Sequence, residues 1–279
     1  TIPDALNAGM RLYADVFAEK LLVENNKVTA VEARVKDVTT GRPGPFSITI
    51  HPKIVVSSCG ALHGPALLLR SGINDNGLVG QRTYIHPVVG VGAEFDDAIN
   101  GFYGAPQSVS SHQFIDRGPG NIGFFMESAP THPILAATAA THFGVDAQSF
   151  MSKLSKLAFL IAIHHDGMLD SEQGGVVKLK SNGLPSLQYD ICDEMKSAFA
   201  YAHKTLSEVA LAAGALEVSS LHLNPVRCRR GADLKQYDDQ DYGAHCHGIF
   251  SAHQMGGLTM GIDPTNSVVN SEFRHHRLS

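Results

Sequence analysis

The chain has 279 residues, 43% of them hydrophobic and 18% charged, with a formal net charge of −5. That length can bury one large core or two ordinary ones, and the charge supplies no basic field for nucleic acid. The longest apolar run, near Leu157–Ile163, is far too short to span a bilayer. Four scattered cysteines, Cys59, Cys192, Cys228 and Cys246, form no CxxC pair and no disulfide framework, a pattern that favours a reducing compartment.

Taken in chain order, Arg11–Ser57 reads as a β-meander. Leu12, Val16 and Leu21–Val23 lie in a first apolar run, Asn25-Asn26 signals a turn, and Val28–Val35 alternates apolar with polar residues. Thr39–Pro45 is a loop, with Phe46–Ile50 and Ile54–Ser57 as further strands. The last of these runs into Cys59-Gly60. Pro65 then opens a short helix, Ala66–Arg70, because its missing N–H and preset φ suit a first turn; Ser71-Gly72 closes it.

From about His86 to Tyr189 the runs shorten, and Gly, Pro, Ser and His become frequent. Ala136–His142 is alanine-rich and reads either as helix or as a mobile lid. Ala158–His164 and Val176–Lys180 are strands, and Ser186–Asp190 can pair back across Asn182-Gly183 as a hairpin. Asp193–Ala213 is the clearest helix. Asp193 is a natural N-cap, Met195, Phe199, Ala202, Leu206, Val209 and Ala213 keep helical spacing, and Gly214 suits the stop. The middle stretch therefore reads as a separate, sheet-containing domain.

The segment with the most chemical content is Ser251–Gly261, SAHQMGGLTMG. It sets a histidine three residues before a glycine pair, in a stretch too glycine-rich for a stable helix. Such glycines let a backbone approach a ligand closely. Imidazole, with an unperturbed pKa of about 6.5, is the usual general base near neutral pH. A single loop histidine is nonetheless more often structural than catalytic.

Three motifs together say more. His253, Gly256, Met260, Gly261, Asp263, Pro264, Ser267, Val268 and Val269 spell HxxG…MG followed by DP…SVV. This resembles the C-terminal signature of the glucose–methanol–choline (GMC) oxidoreductase family, and the SAHQMG spelling is most similar to the long-chain fatty alcohol oxidase branch. Gly257 stands where threonine is commoner, and Leu258-Thr259 where Cys-Arg is usual. Gly60–Asn74, GALHGPALLLRSGIN, resembles the second GMC signature, with Gly64 in place of Ser or Thr and Asn74 in place of the last glycine. Val79-Gly80-Gln81 and His86-Pro87, in VGQRTYIHPV, resemble the family's VGxNLxxHP. The three stretches fall in family order and at family spacing.

The resemblance implies an α/β fold: a partial, Rossmann-like FAD-binding domain, from residues 1–85 and 200–279, plus a substrate domain, 86–199, with an antiparallel sheet backed by helices. It implies FAD as cofactor, with Val16 against the adenine and Gly60 and Ala61 at the dinucleotide. It makes His253 the general base that takes a hydroxyl proton as the α-hydrogen leaves as hydride to flavin N5. The implied reaction converts a primary, long-chain alcohol to an aldehyde, with dioxygen or a quinone as electron acceptor. It further implies an internal fragment, since neither a GxGxxG fingerprint nor the family's second catalytic His or Asn is present. A cytoplasmic and a membrane-associated setting both stay open, as does the oligomeric state. So do another alcohol (sterol or choline-like) on the same fold and an inactive fragment.

Glu127, in FFMES, is the carboxylate in an apolar stretch of the middle domain, a candidate for the substrate pocket although a rim position is commoner. His245-Cys246-His247, with His253 and Cys228, invites a zinc reading, but familiar sites space their ligands in pairs roughly two to five residues apart and His253 has a better explanation, so no metal is assigned. His164-His165 point to opposite faces of a strand and cannot both be ligands from it.

Overall fold

The structure is a computed structural model and describes residues 1–278 except 106, 131 and 142. The chain divides into two compact units: Thr1–Thr83 with Gly175–Tyr189 and Met255–Ser279, and Tyr84–Gly174 with Asp190–Gln254.

In the first unit, strands Val16–Glu24, Lys27–Lys36 and Pro43–Ile50 form an antiparallel sheet in chain order. Asn25 and Asn26 make the first reversal at φ +50° and +60°, the doubly left-handed geometry of a two-residue hairpin, which asparagine tolerates. Helix Gly60–Arg70 brings Leu67 and Leu68 against Leu21, Ile73, Val79 and Val268. Each such leucine contributes about 1.5–3 kcal/mol through burial. Arg70, at the helix end, donates to the carbonyls of Ala18, Glu19 and Gly183 at 3.1, 2.7 and 3.1 Å, and its guanidinium lies 4.9 Å from the Phe17 ring centre. The hairpin Val176–Leu179 with Pro185–Gln188 belongs to this unit: the amide of Val177 donates to Gly80 at 2.8 Å, and that of Gly80 to Gly257 at 2.7 Å.

The second unit is built on a six-stranded sheet. Its order is Arg227–Arg229, Glu217–Ser220, Val88–Glu94, Leu157–His164, Phe124–Ala129 and Ser110–Ser111. Period-two alternation gives the two faces different tasks. Val89, Val91, Ala93, Ala162, Phe124 and Val218 face the long helix Asp193–Ala212 and form the main core with Met195, Ala198, Phe199, Ala202, Leu206 and Ala210. The opposite face carries Val88, Gly90 and Gly92, which stand across from Ile163, Ile161 and Phe159.

Several expectations shift. Ile54–Ser57 forms no strand, with Ile54 in a bend, Ile54 and Val56 82% and 81% exposed, and Val55 packed against the core. The alternation is that of a strand, but no neighbouring strand pairs with it among the described residues. The helix expected at Ala66 begins at Gly60 and contains Pro65; the carbonyl of Ala61, deprived of a proline N–H, turns toward Gly257. The N-cap of the long helix is Cys192, not Asp193, and its buried stripe runs through Ala210 instead of the exposed Val209. Of Ala136–His142, Ala136–Ala139 ends helix Pro133–Ala139, Ala140 is extended, and His142 lies outside the described residues. The unit boundaries also differ from 86–199. The hairpin at 175–189 joins the first unit through its main-chain bonds to Gly80 and Thr83, and the long helix belongs to the second because its apolar stripe covers that sheet.

Candidate active site

His253 follows a short extended segment docked on the central strand of the second unit. Val88 and Phe250 exchange both main-chain hydrogen bonds, at 2.9 and 3.0 Å. Ser251 Oγ donates to the carbonyl of Ile85, and Gln254 Nε2 donates to Ser251 O at 3.0 Å and to its Oγ at 2.8 Å. These bonds hold the chain on both sides of His253.

His253 lines a cavity of about 280 Å³. One wall is the helix-free face of the sheet, where Phe159, Ile161 and Ile163 alternate along one strand with Val88 beside them. The other is helix Pro133–Ala139, which contributes Leu135, Ala136 and Ala139. Leu221, Phe250 and Ala252 continue the apolar lining, and Gln107, Ser251 and His253 are its polar side chains. Gly90 and Gly92 lie on the same face of the sheet. A Cβ at Gly90 would lie 3.1 Å from Ile161 Cγ2, and one at Gly92 would lie 3.5 Å from the Phe159 ring.

Beside His253 stands His86, and beside His86 stands His165. The ring of His86 lies edge-on to His253 and to His165, each at 6.2 Å between centres. Next to them, the buried carboxylate of Asp166 accepts from the amides of Ile85 and His86 at 2.8 and 3.0 Å. Burial, and then the neighbouring His86, lower the proton affinity of His165. As expected, His164 and His165 diverge: His164 packs on Phe199, at 4.9 Å between ring centres. From sequence, His165 enters only beside His164 as a metal-ligand candidate and Asp166 not at all, because neither lies in a motif. Only the pairing of Leu157–His164 with Val88–Glu94 brings them to His86.

Glu127 is half-buried on the cavity face of the sheet, directly across from Ile161, but it is not part of the cavity lining. In the zinc reading, Cys228 is buried and receives a hydrogen bond from Gln236 Nε2 at 3.0 Å, while His247 packs among Phe199, His203, His222 and Tyr242. His247 Nε2 accepts from the Gly243 amide at 3.3 Å.

Val16, Gly60 and Ala61 lie in the first unit. Val16 opens the first strand and is half-buried. Gly60 starts its helix at φ +71°, and an added Cβ there would meet nothing within 4 Å. The N-cap residue Cys59 makes no side-chain cap bond, which leaves the helix N-terminus, with its partial positive charge, uncapped.

The second unit thus has a cavity suited to an apolar ligand with one end at an imidazole, and the first has an open glycine at a helix start. Residues 1–88 match the N-terminal and 171–279 the C-terminal GMC oxidoreductase family model. The chain belongs to the GMC oxidoreductase family. The family consists of FAD-binding flavoproteins that act on CH–OH donors.

Among curated relatives, an uncharacterized GMC-type oxidoreductase of Mycobacterium tuberculosis is 24% identical over 217 residues, covering 78% of this chain and 32% of the relative. A long-chain-alcohol oxidase of Arabidopsis thaliana is 25% identical over 245 residues, covering 79% and 31%. The chain therefore spans about a third of the length of these relatives. Among solved structures, a pyridoxine 4-oxidase from Mesorbium loti superposes with a TM-score of 0.58 at 17% identity, covering 95% of this chain and 50% of that one. A formate oxidase from Aspergillus oryzae, from a study of FAD modification, gives 0.61 at 13%, covering 94% and 54%. Among the described residues, no helix is long and apolar enough to cross a membrane.

The residues present fit FAD. The open space at Gly60 and the uncapped helix start would admit a dinucleotide where a side chain would obstruct it.

Proposed function

We propose that the intact protein is an FAD-dependent oxidoreductase that converts a primary, long-chain alcohol to the aldehyde, with His253 as general base. The observation that carries this reading is the apolar cavity ending at His253. A long alkyl chain gains about 0.8 kcal/mol per buried methylene against such walls. The lining holds no carboxylate among the described residues, which favours a neutral chain over a cationic, choline-like alcohol. The similarity to a long-chain-alcohol oxidase points the same way.

In this reading Val16, Gly60 and Ala61 contact the dinucleotide, and bound FAD supplies the acceptor for the hydride. His253 accepts the hydroxyl proton as the carbon–hydrogen bond breaks, so that the alcohol loses one proton and one hydride and leaves as aldehyde. Ser251 and Gln254 hold the segment that carries the imidazole, and the apolar walls exclude water around it. The electrons pass on to dioxygen or a quinone. Glu127, beside the cavity and not in its wall, is given no part in the chemistry.

The test is anaerobic flavin reduction by a long-chain alcohol in the intact protein. His253→Ala should slow it by about 10²–10⁴-fold, the usual contribution of a general base, with flavin content and thermal stability retained. An unchanged reduction rate would remove His253 from the mechanism.

A further inference from the structure

The His86-Pro87 pair is left without a task by the reading above, yet the structure invests in it. His86 has φ +47°, in the left-handed region. The residue before a proline is normally extended, and a non-glycine residue held in that region costs on the order of 1–3 kcal/mol. Several bonds hold it there. Asp166, whose side chain is 0% exposed, clamps two successive amides, Ile85 N on Oδ2 at 2.8 Å and His86 N on Oδ1 at 3.0 Å. Ser251 Oγ donates to the Ile85 carbonyl from the same segment that carries His253. On the ring, Nδ1 is 3.0 Å from the His164 carbonyl, so it carries the proton, and it lies 3.4 Å from Asp166 Oδ1. The imidazole so oriented meets His253 edge-on, at 6.2 Å and 76°.

We propose that His86, locked by Asp166, is a positioning residue for His253: it sets the orientation of that imidazole. The consequence for turnover rests on His253 being the base. The titratable groups facing His86 are Asp166, His165 and His253.

The experiment follows carbethoxylation of His253 by diethyl pyrocarbonate against pH, mapped by mass spectrometry, in the intact flavoprotein and its variants. Only the unprotonated ring reacts, so the midpoint reports its protonation whether or not the enzyme turns over. In His86→Phe, which keeps a ring and leaves both amide bonds to Asp166, the His253 midpoint should move by about half a pH unit or more, because a reoriented imidazole meets different neighbours. Asp166→Asn should move it too; if that protein does not fold, His86→Phe decides alone. The limiting rate of flavin reduction should fall about 10–100-fold in His86→Phe with alcohol affinity nearly unchanged, the pattern of a lost transition-state interaction. An unmoved midpoint and rate in folded His86→Phe would overturn the proposal, as would a loss confined to alcohol affinity. Should His253→Ala reduce flavin normally, the proposed function falls, and the His253 midpoint in His86→Phe still decides the coupling.

Discussion

Val88 and Phe250 are joined by two main-chain hydrogen bonds, and this bridge carries the His253 segment to the edge of the apolar cavity. Val88 is also the cavity residue of the central strand, so one residue both lines the space and anchors the chain that bears the imidazole.

The walls predict how alcohols are ranked. Each added methylene should lower the KM of a straight-chain primary alcohol by about fourfold, the equivalent of about 0.8 kcal/mol, until the cavity is full. Steady-state kinetics over a homologous series would show the slope and its plateau. A KM independent of chain length would place the alkyl chain elsewhere.

Ala139 lines the cavity from helix Pro133–Ala139. Ala139→Phe should shorten the preferred chain, raising the KM of long alcohols by about tenfold or more, the loss expected when roughly two methylenes are expelled. Short alcohols should be little affected. Equal losses for both would indicate general damage to the fold instead.

Gly256 has φ +81°, and a Cβ there would come within 2.1 Å of the Arg82 carbonyl oxygen. Gly257, at +75°, would put one 2.8 Å from the Pro65 ring and 2.9 Å from the Ala61 carbonyl. Gly256→Ala should therefore cost at least about 1–3 kcal/mol, visible as a lower urea midpoint. The same crowding explains why threonine is not found at position 257.

Arg70 reaches three carbonyls with one planar group, its side chain partly desolvated. Arg70→Lys keeps the charge but cannot span the three acceptors, and should cost about 1–3 kcal/mol. Thermal denaturation would register this, and a neutral result would mean that water replaces the fork.

Acid should weaken the second unit. Burial is the main reason that His164, His203 and His222 hold protons less readily than free histidine, His164 and His222 titrating at about 4. The Nε2 atoms of all three are buried and have no hydrogen-bond partner among the described groups. The folded affinity lies below the unfolded one, so this stability is fully present above about pH 6.5 and is lost as the pH falls toward 4. For wholly buried His164 the loss amounts to about 3 kcal/mol. Urea midpoints measured from pH 8 to 5 should fall steadily below 6.5, and a flat profile would contradict the burial of these rings.

Local pattern alone determined the Asn25-Asn26 hairpin, the strand at Leu157–His164, the hairpin across Asn182-Gly183 and the long amphipathic helix, because each rests on turn geometry or periodicity within its own segment. The GMC motifs, likewise contiguous in sequence, were enough for the family. Tertiary structure alone decided the remainder. Val88–Glu94 is the centre of a sheet although Gly90 and Gly92 dilute its signal, and a Cβ at Gly90 would crowd the Leu160 carbonyl and Ile161 across the pair. Ile54–Ser57 has a strand's alternation but no strand, because a ladder needs a partner and no periodicity supplies one. Asp166 and His165 stand about 80 residues from His86 in sequence, and only the register of two antiparallel strands brings them to it.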